Sequence, residues 1–329
     1  MHRIIRLSSI HRIVIGIAAT ALSMTAYSQS FTGKQMSLVI PYPPGTTSSN
    51  VFGRVIAEHM SKALGQRVIV ENKPGAGGNV GAEGVARSAP DGATMLLGSN
   101  GTITIGPSLY SNLNYDPLSD LAPVTMFANV PYMLVVPASL PVRSVQEFIA
   151  LAKSQPGMLH YISSGNGTTP HLCGEWLKKK TGIDIVHVPY KGGALAMTDL
   201  LAGRVAMYCA GGPSVIDYIR GGKLRSIGLT VGKRSPLLPD VPTMGEQGVY
   251  EMDNVTSWIA IFVAGKTPST IIQKLHQVIA QIMQGAEIRK LVMDQAGEPM
   301  AMGPAEFSGF IKAEAARWAE IVKATGARI

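Results

Sequence analysis

The chain has 329 residues, 46% hydrophobic and 6% aromatic, enough for one large or two medium domains with aliphatic, alanine-rich cores. The formal net charge is +8, yet only 15% of residues are charged, and the basic ones are scattered rather than interleaved with aromatics, which excludes a nucleic-acid footprint. CxxC pairs, Cys/His clusters and HExxH are all absent, which argues against a metal centre, and no cofactor is expected.

Arg3, Arg6 and Arg12 precede an apolar stretch from Ile13 to Ala26, and Ala26 and Ser28 supply small residues beyond it. This order reads as a secretory signal peptide over residues 1–28, too short to span a membrane, with Gln29 first in the mature chain. Its loss leaves 26 basic residues against 21 acidic, a net +5 that suits an anionic small ligand. No cysteine stands at the cleavage site to carry a lipid, so a freely soluble periplasmic protein is expected. Export permits a disulfide between Cys173 and Cys209, although two free buried thiols are the favoured reading.

Met36–Ile40 reads as the first strand. It runs into Pro41-Tyr42-Pro43-Pro44-Gly45, a small polar run from Thr46 to Asn50, and a helix from about Val51 to Leu64. Strand, turn, hydroxyl cluster and helix are how an anion site is built, because N–H groups at a helix start are unpaired and partly positive, and this stretch alone reads equally well as an ordinary βα turn with Ser/Thr caps. A second strand, Gln66–Glu71, leads into the glycine-rich loop 72–79, a helix over Val80–Ser88 and a third strand, Thr94–Leu97. Repeated strand–loop–helix units predict a parallel sheet covered on both faces. The loop lacks dinucleotide spacing: Val80 stands where the third glycine belongs, and no acidic residue ends the following strand.

The alternation continues with a strand at Tyr132–Val136 and a helix capped by Ser144 with Glu147 three residues on. Strands follow at Leu159–Ile162, Ile183–Val188, Val205–Cys209 and Leu224–Leu229, with helices between them. Val255–Val263 reads as a long apolar strand, and amphipathic helices close the chain. We therefore expect an α/β fold of two Rossmann-like lobes joined by two crossings, with a cleft and a hinge. Lobe 1 comprises residues 29–128 and 255–329, and lobe 2 residues 129–254.

Two hydroxyl-rich loops, 42–50 and 163–169, leave the carboxyl ends of strands, one in each lobe, where open α/β sheets bind ligands. They present N–H groups and hydroxyls rather than Lys or Arg, a chemistry for reversible capture of a carboxylate. Catalysis is poorly supported. No G-x-S-x-G elbow occurs, and His171 beside Ser163 or Ser164 has no evident acid to orient it, so a secreted serine hydrolase is a minor alternative.

IPYPPGTTSSNVFGR (40–54), VIVENKPGAGGNVGAEGVARSAPDGATMLLGS (68–99), ISSGNGTTPHLCGE (162–175), HVPYKGGALAMTDLLAGRV (187–205) and TSWIAIFVAGKTP (256–268) together resemble the periplasmic solute-binding proteins of tripartite tricarboxylate transporters, the Bug-type receptors. The resemblance implies a type II periplasmic binding-protein fold, a monomer, that closes over a small di-, tri- or aromatic carboxylate. The partners it implies are transporter membrane subunits or, alternatively, the outer domain of a membrane sensor. It places the carboxylate between Tyr42, Thr46, Thr47, Ser48 and Ser49 on one side and Ser163, Ser164, Asn166, Thr168, Thr169 and His171 on the other. The far end is expected from Ser99–Thr102, Pro189–Gly192 and Ala210–Pro213, with Ser99, Tyr190 and Ala210 as contacts. The chain departs from the family's P-G-G-x-x-D pattern: Thr46 replaces the second glycine, and Ser49 or Asn50 takes the place of the acid. Loss of that charge predicts a ligand without an amine.

Overall fold

The computed structural model describes residues 35–327, apart from Thr46, Thr47, Gly192, Asn254 and Gln295; the expected signal segment lies outside the described residues. The first half is built from β1 (Met36–Ile40), α1 (Ser48–Leu64), β2 (Val68–Asn72), α2 (Asn79–Ala86) and β3 (Thr94–Ser99). β1 lies between β2 and β3 and runs parallel to both. Its sequence, MSLVI, carries almost no polar side chain, because a strand covered on both faces has no wet side to serve. A π-helical turn, Gly101–Ile105, and a short helix α3 (Gly106–Leu109) follow.

The next strand, β4 (Leu121–Pro137), is the spine of the molecule. From Leu121 to Pro131 it pairs antiparallel with β9 (Thr256–Ala264), and from Tyr132 to Pro137 it pairs antiparallel with β7 (Met207–Gly211) and β8 (Leu224–Leu229). The sheet is therefore mixed rather than wholly parallel. A strand that leaves one half and a strand that returns to it lie side by side, and that arrangement is antiparallel by necessity. The crossings are adjacent, at Pro131 and Thr256.

The second half adds α4 (Val145–Ser154), β5 (His160–Ser163), α5 (Thr169–Thr181), β6 (Val186–Pro189), α6 (Gly193–Leu201) and α7 (Gly212–Arg220). β5 runs parallel to β6 and β7. The Ser144 hydroxyl accepts from the Glu147 amide at 3.1 Å, so the expected cap forms. Cys173 of α5 and Cys209 of β7 are joined in a disulfide, which corrects the expectation of free thiols. α5 packs its buried face, including Leu172, Cys173 and Leu177, into the same core as β7, and this brings the sulfurs together.

The C-terminal segment supplies α8 (Ser269–Ile282), α9 (Ala286–Asp294), β10 (Glu298–Met302) and α10 (Pro304–Thr325). β10, not anticipated from the sequence, pairs antiparallel with β4. The 22 residues of α10 span about 33 Å. Phe307 and Ile311 enter the first-half core with Leu96, Trp258 and Phe262. Trp318, Ile321 and Val322 enter the second-half core with Leu134, Phe148 and Tyr161. The helix thus belongs to both halves, where the sequence predicted that it would complete the first. Midway along it, the buried Glu314 carboxylate accepts from Trp258 Nε1 and from Thr104 Oγ1. Burial raises its pKa.

Candidate functional site

The loop after β1 is held from beneath. Asn50 donates Nδ2 to the Pro43 carbonyl at 2.8 Å and accepts from Asn72 Nδ2 at 2.9 Å. Asn72 donates a second bond to the Tyr42 carbonyl at 2.8 Å. Asn50 is 1% exposed and faces this staple rather than the cleft, whereas its neighbour Ser49 lines the cavity. Of these two neighbours, Ser49 faces the cavity and Asn50 faces the staple. The side chain of Tyr42 turns in, and its hydroxyl meets Ser99 Oγ at 2.9 Å. Thr46 and Thr47 lie outside the described residues, and Ser48 begins α1.

The second loop divides in the same way. Ser164, Thr168 and Thr169 line the cavity. Ser163 is fully buried behind it, donating to the Gly165 carbonyl at 3.0 Å and paired with His187 Nε2 at 2.8 Å. His171 also faces backward: its Nδ1 accepts from the Gly167 amide at 3.2 Å, and its ring stacks on His187 with centroids 4.2 Å apart. A Ser163–His171 pair, one of the two arrangements a hydrolase would use beside Ser164–His171, does not form. Asn166 is exposed at the loop and does not line the cavity. Burial lowers the pKa of His171 and pushes that of His187 down to about 4, so both rings are neutral near pH 7. This suits His171 Nδ1, which must be unprotonated to accept a bond from the Gly167 amide.

At the far end, Ser99, Asn100, Gly101 and Gly211 line the cavity as expected for those loops. Tyr190 and Ala210 do not. Tyr190 donates its hydroxyl to Asp199 at 2.5 Å, and Ala210 packs with Met133, Ile162 and Leu229 in a separate cluster, on the face of β7 opposite Cys209. Gly77, Tyr132, Pro170, Tyr208, Ser214 and Ser257 complete the lining without having been singled out. Tyr132 and Tyr208 sit in strands; Tyr208 is buried and Tyr132 half-buried, and both border the cavity.

The cavity holds about 80 Å³, room for a small acid or a few waters. Helix starts converge on it. Ser49 lies in the first turn of α1, Gly77 precedes α2, Gly101 opens the π-helical turn, Thr168 is the N-cap of α5, and Gly211 is the N-cap of α7. A helix start carries the positive end of a dipole and N–H groups without an intrahelical partner, although the Gly101 amide is already given to Asn100 Oδ1. The lining side chains, among the described residues, include no Asp, Glu, Lys, Arg or His. Burial raises the Tyr42 pKa and pushes that of Tyr208 up to about 12, with Tyr132 also raised by burial, so their hydroxyls remain protonated donors. The site can therefore stabilise a negative charge with neutral hydrogen bonds and oriented dipoles. Among the described residues no group of His, Cys, Asp and Glu is gathered to hold a metal.

Residues 52–327 match the family described as tripartite tricarboxylate transporter family receptor. The chain is 35% identical over 319 residues to protein BugT of Bordetella pertussis (strain Tohama I), covering 96% of this chain and 97% of that protein. Among solved structures, R. palustris Rpa4515 with adipate superposes with a TM-score of 0.85 at 32% identity, covering 90% of this chain and 98% of that one. The periplasmic binding protein BugD superposes with a TM-score of 0.83 at 30% identity, covering 90% and 99%.

Proposed function

The chain belongs to the tripartite tricarboxylate transporter receptor family, and on that premise we propose that it captures a small amine-free carboxylate in the periplasm and passes it to a membrane transporter. The observation that carries this reading is the convergence of helix N-termini on a small cavity lined by hydroxyls and free of charged side chains among the described residues. A carboxylate entering it gains N–H and O–H donors without a counter-ion, and its release needs no buried ion pair to be broken. An ammonium group would enter without an acid to meet it. Ser49, a neutral hydroxyl facing the cavity from the first turn of α1, supports exclusion of amino acids. The rings of Tyr42, Tyr132 and Tyr208 offer apolar area for the carbon skeleton. The relative solved with adipate supports a dicarboxylate as the first probe.

Titration calorimetry with adipate, malate, benzoate and aspartate tests the reading. We expect binding of at least one amine-free acid and none of aspartate. Tight binding of aspartate alone would overturn the ligand class. Loss of uptake of the bound acid on deleting the gene, with rescue by the intact chain, tests delivery.

A further inference from the structure

We propose that Asn100 is a latch across the cleft, and that its bond to Thr169 sets the balance between closed and open forms. The inference goes beyond the proposed function, since it rests on the two-lobed cleft and not on the solute that fills it.

Asn100 follows β3 in the first half and is 1% exposed. Its Nδ2 donates to the Thr256 carbonyl at 2.8 Å, at the crossing where β9 begins. Its Oδ1 accepts from the Gly101 amide at 3.1 Å, from Ser257 Oγ at 3.2 Å and from Thr169 Oγ1 at 3.2 Å. The bonds to Gly101, Thr256 and Ser257 tie Asn100 to its own loop and to the crossing. The bond to Thr169 alone reaches the second half, at the first residue of α5. Rotation about Pro131 and Thr256 leaves the former in place and separates the latter.

The oxygen is also oversubscribed. An amide carbonyl has two lone pairs, and here it faces three donors. One donor is therefore held weakly. Thr169 and Ser257 both line the cavity, so either hydroxyl can turn to an incoming ligand oxygen while the other keeps its bond to Asn100. The amide holds the halves together before the ligand arrives and gives up a donor when it does.

The test is made on unliganded protein, so failure of carboxylate binding leaves it decisive. Small-angle scattering and hydrogen exchange are compared for the parent, Thr169→Val, Thr169→Ser and Asn100→Ala. Thr169→Val should move the open-to-closed ratio about fivefold toward open, the equivalent of one net hydrogen bond, seen as a larger radius of gyration and faster exchange at the start of α5. Thr169→Ser, which keeps the hydroxyl, should restore parental behaviour; a merely structural role for the methyl group would leave Ser impaired. Asn100→Ala should resemble Thr169→Val, and Asn100→Ala/Thr169→Val should add little to either. Should Asn100→Ala fail to fold, the Val and Ser variants at 169 decide alone. Parental scattering and exchange in Thr169→Val, or equal opening by Thr169→Ser, overturns the latch.

Discussion

Removing the Cys173–Cys209 disulfide should lower stability by about 4 kcal/mol. The bond closes a loop with a sequence separation of 36, and the chain-entropy relation for a loop of that length gives roughly 13 cal/mol/K, hence about 4 kcal/mol at 25 °C. At about 2.1 cal/mol/K per residue of unfolding entropy, a described chain of close to 300 residues should lose about 6 °C in Tm. Both sulfurs sit in the fully buried second-half core, so replacing them also disturbs packing. The assay therefore uses differential scanning calorimetry on parent protein oxidised, on parent reduced with its sulfur atoms kept, and on Cys173→Ala/Cys209→Ala. The entropic share is the drop from oxidised to reduced parent; the further drop to the alanine pair is the packing share. A reduced parent that melts within about a degree of the oxidised one would refute the cross-link reasoning.

Ser49→Asp should weaken binding of a dicarboxylate: a carboxylate roughly 5 Å from ligand charge at an effective dielectric near 20 costs about 3 kcal/mol, a hundredfold or more in Kd by calorimetry. Gly174→Ala should destabilise by about 1–3 kcal/mol in urea unfolding, because the new Cβ would stand 2.1 Å from the ring of buried Tyr161, itself fixed by Glu175. Acid should destabilise through His187. Its folded pKa, about 4, lies below the ordinary value of 6.5, so the unfolded chain binds the proton first, and this contribution is intact above pH 6.5 and lost as pH falls toward 4. His187→Gln should flatten that part of the pH–stability curve. Asn50→Ala should lower stability by about 1–3 kcal/mol by freeing the buried loop partners, while a change in m-value without a change in midpoint would count against the staple.

The fold was legible where local chemistry decides it. The apolar strands, the Ser144 cap and the strand–loop–helix rhythm each carry their own signal in neighbouring residues. The sequence shows only Tyr132–Val136 of β4 as a strand; Pro123 and Pro131 interrupt its first part, and proline ordinarily demotes a strand. A register shift falls beside Pro123, and Pro131 stands where β4 passes from β9 to β7. The site loops were legible through their hydroxyls and glycines. Which hydroxyl faces the cavity was not: Ser49 and Asn50 are neighbours on a helix, and one turns to ligand space while the other turns to Asn72. The resemblance places Ser163 and His171 at the ligand. Here both meet His187 behind the loop, Ser163 by a hydrogen bond and His171 by ring stacking, and neither lines the cavity. The disulfide was beyond reach, since a spacing of two cysteines carries no information about the helix–strand packing that brings them together.

The last helix has a consequence for how the molecule can be taken apart. α10 is rooted at Phe307 in one core and at Trp318 in the other, with Glu314 fastened beside the crossing strand between them. Neither half retains a complete interior without it, so the halves are not interchangeable modules. Cutting the chain ahead of Ala315 should deprive the second half of its closing residues although every one of that half's own strands is still present. Grafting the cleft of one relative onto the frame of another then means moving this helix as a common timber, matched at both ends.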